Sequence, residues 1–474
     1  MVVTSSDKYR SEIFLIAPPS PLVYPRTFLQ YLAGQTPLGI GYIAALLQKE
    51  GFRVCCLNLY MGLKDTDPLI ELIVHNQPAI IGFSTMTENF QNGVLLAQLV
   101  KDHCPNAIIV FGGPHITFLD DEALLKNSCI DIAVRGEGEF TMLELANLFI
   151  RGIGVLWEIK GISYREDGKI VRTPARPLLK DLDILPFPVR EIPSLDKTAS
   201  LHNVRNSVIT SRGCPGHCKF CAASALAGGR YRKRSINNIA EEIESLKSRG
   251  LDFINFGDDT ISADLSRLLV ICHLLKEIGM RWSCESRVDI MTRELAIILA
   301  NSGCTGIQFG VESGSQKLLD EMGKDITIAQ VEQAVDWCSQ AGMRVVCSMM
   351  IGVPGDTEDT IRQTISFAER LQRKYRVGVI MGCTVPYPGT YYYRMAEKLG
   401  IHIATDNYNL YSTVNPIMDT PYLTRWQVRN LYYDAILQLF KSLSRQYRDL
   451  FARMSQDSLA QAGYSLQTNW SSRR

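Results

Sequence analysis

Two separate stretches of this chain alternate short apolar runs with helical patterns, and nothing else constrains its fold as strongly. In the first stretch the runs are EIFLIAP, FRVCCLNL, AIIGFST, NAIIVFGG and DIAVRG, rich in Ile, Val and Phe and nearly free of polar residues. Unbroken runs of this kind belong to parallel strands covered on both faces, since polar residues alternate only where one face meets water. Between them lie PLGIGYIAALLQKEG, with proline near its start and glycine after its end, NFQNGVLLAQLVKDHC and FTMLELANLFIRG; all three have helical spacing and the first carries start and stop signals. Five such units predict a doubly wound, Rossmann-like α/β domain over residues 1–152, whose ligands bind beyond the C-terminal strand ends.

Residues 153–205 break the pattern. GISYREDGKIVRTPARP predicts a hairpin turning at Asp167-Gly168, and LLKDLDILPFPVREIPSLD, punctuated by proline, predicts a linker. From 206 the alternation resumes six-fold, with NSVITS, DFINFG, RWSCES, GIQFGV, VVCSMMIG and GVIMGCTV as strands. Six units are too few for an eight-stranded barrel and predict a partial one over 206–390, with working residues on the loops after the strands. Residues 391–474 read as a helical C-terminal region. TRWQVRNLYYDAILQLFKSLSRQYRDLFARM has a 3.6-residue apolar period with basic residues opposite, and the polar end from Ser465 is expected to be disordered.

A formal net charge of +1 argues against binding nucleic acid or a membrane surface by bulk electrostatics. No export signal opens the sequence and no apolar run approaches the roughly 18 residues of a membrane span. With thirteen cysteines, an odd number, the chain suits a reducing cytoplasm and mostly free thiols. Three of them, Cys214, Cys218 and Cys221, crowd into TSRGCPGHCKFCAAS after the first strand of the second unit. A zinc site of this spacing lacks a fourth ligand, for which only His217 lies in the loop, whereas an iron–sulfur cubane held by three thiolates leaves one iron open to a small molecule. Gly213, Pro215 and Gly216 suit a loop wrapped closely around such a group. The residues alone leave cluster and zinc knot both open.

The spacing C-x3-C-x2-C after the first strand of a partial barrel resembles the radical S-adenosylmethionine (SAM) superfamily. That resemblance implies a [4Fe-4S] cluster on Cys214, Cys218 and Cys221, with SAM chelating the open iron and cleaved to a 5′-deoxyadenosyl radical. It places Phe220 beside adenine, Asp258 and Asp259 of FGDDTIS near the SAM amino group, and Arg287 of SCESRVD at the carboxylate or ribose. Glu312 and Ser313 of FGVESGS match a ribose-contacting pair, and Ile351, Gly352 and Pro354 of MIGVPGD an adenine-side motif. Each also has an ordinary structural explanation: a helix cap for the aspartates, an ion pair for Arg287 and Glu312, a turn for GVPGD.

In the first domain, no G-x-G-x-x-G follows the first strand, which disfavours a dinucleotide site. Small residues instead mark the strand-end loops QTPLGIGY, FSTMTEN, FGGPHIT and RGEGE, and their order resembles the cobalamin-binding domain fused to one radical SAM subfamily. The resemblance implies cobalamin contacts from Thr36, Gly39, Ser84, Thr85, Gly112, Gly113, Pro114, His115, Gly136, Glu137 and Gly138. The D-x-H-x-x-G motif that supplies a cobalt ligand in many cobalamin proteins is absent after IFLIAPPS, so His115 is read as a polar contact, beside its alternative as a packed structural histidine.

The activity implied is methyl transfer to an unactivated carbon of a small molecule, with a low-potential electron donor such as flavodoxin or ferredoxin. One rival within the family is oxidative ring closure of the anaerobic magnesium-protoporphyrin monomethyl ester cyclase type. Another class altogether is a cobalamin-binding sensor with a structural metal knot. The turn at Pro386, Tyr387, Gly389 and Thr390 resembles a subfamily motif, and Tyr391, Tyr392 and Tyr393 either line a substrate pocket or pack between barrel and tail.

Overall fold

Strand β1 (Ile13–Ala17) is buried along its whole length, as an unbroken apolar run requires. In the computed structural model, which describes residues 10–21, 37–60, 62, 65–195 and 206–442, β1 pairs in parallel with β2 (Val54–Asn58) and β3 (Ile80–Ser84). β4 (Ile108–Gly112) and β5 (Ile132–Val134) follow in parallel register. The order β2-β1-β3-β4-β5 reverses direction between β1 and β3, which opens a crevice at their C-terminal ends.

The hairpin turns where expected, with Asp167 and Gly168 both at positive φ (49° and 74°) between β6 (Ile162–Glu166) and β7 (Lys169–Arg172). It does not stand apart as a connector. β6 pairs antiparallel with β5, and the hairpin extends the first sheet to seven strands.

The second sheet holds six parallel strands in the order β15-β14-β13-β12-β11-β8. They are β8 (Ser207–Val208), β11 (Phe253–Phe256), β12 (Arg281–Ser286), β13 (Cys304–Glu312), β14 (Arg344–Ile351) and β15 (Gly378–Cys383). A short antiparallel ladder of β9 (Ser211–Arg212) and β10 (Arg232–Lys233) brackets the three-cysteine loop. Trp282 and Cys284 are buried against the outer helices, so the intervening Ser283 and Glu285 face the barrel interior.

The C-terminal region joins both domains. Its last described helix, Arg425–Ser442, packs on the helix Glu358–Tyr375 and on β15, closing the open side of the barrel. Val385, Tyr408, Tyr411 and Ile417 meanwhile enter the core of the first domain. Gly389 (φ +86°) lies against the Phe118 ring, where an added Cβ would stand 2.4 Å away. That contact explains why the turn needs glycine. The expected helix beyond 442 and the polar end lie outside the described residues.

Candidate functional site

The three-cysteine loop is shaped by its neighbours. Gly213 takes φ +89°, and a Cβ there would lie 2.1 Å from the Arg230 carbonyl oxygen. Its N–H donates to Asp259 Oδ2 (3.0 Å), Cys214 Sγ hydrogen-bonds Thr260 Oγ1 (3.3 Å), and Gly216 N–H donates to Cys214 Sγ (3.4 Å). All three cysteines are free and half-buried. Burial pushes the Cys218 thiol up, while Lys324 and Arg287 pull it back toward the thiolate. His217 Nε2 sits 3.1 Å from Asp325 Oδ2 and is largely exposed, which removes it as a fourth ligand. Among the described residues no three His, Cys, Asp or Glu side chains converge on a point that would hold a single ion. Three thiols with backbone donors, adjacent cations and no fourth ligand fit a cubane, which spreads its thiolates over separate corners.

Facing the loop, the barrel mouth is a network of buried charges. Glu312 ends β13 at φ +69°, a strained conformation for a side-chain-bearing residue. Lys324 Nζ donates to its Oε1 at 2.8 Å, with both side chains at most 10% exposed. Desolvation opposes the charge on Lys324, but Glu312 outweighs it and holds the ammonium above its ordinary pKa. Both groups lie over Gly310, where a Cβ would meet Glu312 Oε1 at 2.4 Å. The same ammonium stands 5.8 Å from the centre of the Phe220 ring. Arg287 donates to Asp289 (2.9 Å) and to the Lys324 carbonyl (3.0 Å) beside the cysteine loop. Glu285, the solvent-exposed member of the group, is raised by desolvation in the mouth and by the nearby Glu312 and Asp259. Sequence reading missed Lys324, Glu285 and Thr260, which acquire meaning only through their neighbours in space.

Several of the expected SAM contacts make hydrogen bonds within the protein. Asp258 is 3% exposed and accepts from Thr210 N–H (3.1 Å), Thr210 Oγ1 (2.8 Å) and Ser211 Oγ, so its carboxylate braces the strand beneath the loop. Asp259, its sequence neighbour, takes the loop-facing position. Ser313 is buried and hydrogen-bonds Thr364 Oγ1 (3.1 Å), holding a turn rather than facing the mouth. Ile351 is fully buried and its carbonyl accepts from Thr384 N–H (2.8 Å). Gly352 (φ +77°) and Val353 donate to Asp356 Oδ2 (2.8 and 3.0 Å), and burial raises that carboxyl to about 6. Val428 of the terminal helix backs Gly352, and Pro354 is half-buried beside them. Tyr392 is buried with its backbone on Lys219, so at this position the aromatic run packs.

In the first domain, a cavity of about 350 Å³ opens beyond the strand ends. Eight expected residues line it: Gly39, Ser84, Gly112, Gly113, Pro114, Gly136, Glu137 and Gly138. Leu15, Phe83, Val110 and Met142 make its walls apolar, while Ile209 and Arg212 of the barrel domain close one side. Gly113 (φ +98°) allows the closest approach, since a Cβ would lie 2.5 Å from the Thr85 carbonyl oxygen. Thr85 does not line the cavity; its N–H and Oγ1 donate to the Gly112 carbonyl (2.8 and 3.1 Å), tying two loops together. His115 is packed among aromatic rings, as the second of its two readings has it. It stacks on Phe90 (4.1 Å between centroids) and edge-on to Tyr408 (4.5 Å), 1% exposed, and burial lowers its pKa to about 3. Thr36 lies outside the described residues. Open space at the Cβ positions of Gly39 and Gly136 and the apolar walls fit a flat, bulky cofactor such as cobalamin.

Comparison with known proteins agrees with this division. Residues 208–368 match the radical SAM superfamily model and residues 32–146 the B12 binding domain model. The chain is 32% identical over 447 residues to an uncharacterized methyltransferase of Pyrococcus horikoshii, covering 93% of this chain and 95% of that protein. It is 26% identical over 408 residues to the anaerobic magnesium-protoporphyrin IX monomethyl ester cyclase of Rubrivivax gelatinosus, covering 83% and 71%. The fold is similar to that of the radical SAM methyltransferase TsrM from Kitasatospora setae, with TM-score 0.71, 17% identity, and 92% and 90% of the two chains covered. The chain therefore belongs to the radical SAM superfamily, in the group whose members carry a B12 binding domain ahead of the radical SAM domain.

Proposed function

We propose that this protein is a cobalamin-dependent radical SAM methyltransferase that modifies an unactivated carbon of a small molecule. Its cofactors are a [4Fe-4S] cluster, SAM and cobalamin. When bound, the cluster supplies the electron that cleaves SAM, and cobalamin carries the methyl group. In this reading Cys214, Cys218 and Cys221 hold the cluster. Phe220, Asp259, Arg287, Glu312, Gly352 and Pro354 surround SAM, with Lys324 added as a fixed cation for its carboxylate. Gly39, Ser84, Gly112, Gly113, Pro114, Gly136, Glu137 and Gly138 take the cobalamin.

One observation carries the proposal: Arg212, two residues before Cys214, lines the same cavity as the glycine loops of the B12 domain. The two sites share a wall, so a group held in one lies within reach of the other. The first domain is thereby tied to the radical chemistry rather than appended to it. A low-potential donor such as flavodoxin or ferredoxin belongs to the same reading, as does a reducing cytoplasm, which the absence of disulfides among the thirteen cysteines supports. Among the described residues no helix is long and apolar enough to cross a membrane.

Anaerobic protein reconstituted with iron, sulfide, cobalamin and SAM should yield both 5′-deoxyadenosine and S-adenosylhomocysteine by mass spectrometry. The first without the second would favour the oxidative reaction named for the cyclase relatives, which adds no carbon. Neither product, with stoichiometric zinc and no sulfide, would overturn the proposal in favour of a cobalamin-binding sensor.

A further inference from the structure

We infer that Glu137, Arg212 and Arg232 are positioning residues that set the separation of the two cofactor sites. The inference rests on the proposed function above and concerns how its two halves are held. Glu137 lies between Gly136 and Gly138, and all three line the first-domain cavity. Its carboxylate points out of the first domain, into the ladder that brackets the cysteine loop. Arg212 Nη1 donates to Glu137 Oε1 (2.9 Å) and Arg212 Nη2 to Glu139 Oε1 (2.6 Å). Arg232, directly across the ladder from Arg212, places Nη1 2.8 and 3.0 Å from the two Glu137 oxygens. Leu179 N–H completes the acceptor set at 2.8 Å.

These four side chains are between 6 and 19% exposed, so the bridge works away from bulk water. A guanidinium fork on two carboxylates fixes direction as well as distance. The Arg212 guanidinium also stands 5.3 Å from the ring centre of Tyr42, which lines the cavity too. Only Gly213 separates Arg212 from Cys214. A shift of the glycine loop is therefore handed to the cysteine loop through one side chain. Other contacts fasten the halves together independently: Arg190 on Glu242 ties the linker to the barrel, and Phe118 meets Gly389. The bridge is thus free to act on position without being the sole attachment. Arg212 grips both Glu137 and Glu139 of the first domain, whereas Arg232 grips Glu137 and the Leu179 carbonyl, so Arg212 is the stronger arm between the domains.

The test uses the full chain loaded with reduced cluster and cob(II)alamin, reading by pulsed EPR how strongly the cluster speeds relaxation of the cobalt signal. Glu137→Gln and Arg212→Gln should change that enhancement at least two-fold, read at iron and corrinoid contents matched to the wild type. Arg232→Gln should change it less, and Arg212→Lys should restore part of the wild-type value. The ratio of S-adenosylhomocysteine to 5′-deoxyadenosine should fall in the same order. Wild-type enhancement in fully loaded Gln variants would overturn the inference and leave the bridge as packing. Should the Gln variants fail to fold, Glu137→Asp, one methylene shorter, is read by the same criterion. A wild-type protein that takes up no corrinoid or no cluster overturns the proposed function itself, and this inference with it.

Discussion

The two cofactor-facing regions are built on opposite principles. The first-domain cavity is made of backbone and glycine, with apolar walls and almost no free charge; the barrel mouth is made of charged side chains around the buried Lys324–Glu312 pair. A site made of glycine is tuned by what can approach it, and one made of ion pairs by what must stay paired. Substitutions should therefore affect the two regions through different observables, and that separation can be tested.

The largest effect is expected at the cysteine loop. Cys218→Ala removes one of three thiolates and should abolish 5′-deoxyadenosine formation, with iron content falling and corrinoid uptake retained. Loss of corrinoid in that variant would show that the regions are not separable. The next effect belongs to the buried pair. Lys324→Met leaves Glu312 charged and alone, which costs about 3–5 kcal/mol where such pairs are broken. Anaerobic denaturant unfolding should register this, and adding Glu312→Gln should recover most of the stability without restoring SAM binding.

A third test falls on the first domain, away from its cavity. Burial holds the His115 pKa down at about 3, well below an ordinary imidazole. The folded state therefore binds this proton less readily than the unfolded chain. The stability it contributes is present above about pH 6.5 and is lost as pH falls toward 3, by about 1.4 kcal/mol per unit. His115→Phe should flatten that part of the profile while leaving corrinoid uptake intact; a loss of corrinoid would return His115 to the site. The smallest effect is expected at Gly39, where a side chain would enter open space. Gly39→Leu should weaken corrinoid binding about ten-fold, equivalent to about 1.4 kcal/mol, while the helix gains stability from losing a glycine.

The same contrast explains what the sequence revealed. The alternation of strands and helices, the partial barrel and the small residues of the strand-end loops follow from local patterns, because an apolar period or a run of small residues is written in adjacent positions. Eight of the cavity residues lie in those loops and were named through the resemblance to a cobalamin-binding domain. The charged mouth was not. Lys324 reaches Glu312 only because β13 and the following short helix bring positions twelve apart together. Glu137 and Arg212 are 75 residues apart and in different domains. Asp258 and Asp259 show the limit most simply: one is sealed beneath the loop on Thr210 and Ser211, and its neighbour in the turn after β11 holds the Gly213 N–H. The sequence left two readings of the histidine in FGGPHIT for a similar reason, since its partner Tyr408 arrives from far along the chain.

The account's central claim is that a single chain brings SAM and corrinoid to one shared wall. The most direct test is a single turnover of the loaded, reduced protein with SAM deuterated in its methyl group. The account predicts a corrinoid that gains the trideuterated methyl group and an equal amount of S-adenosylhomocysteine. A corrinoid that stays bound and unlabelled while SAM is cleaved to 5′-deoxyadenosine would contradict it.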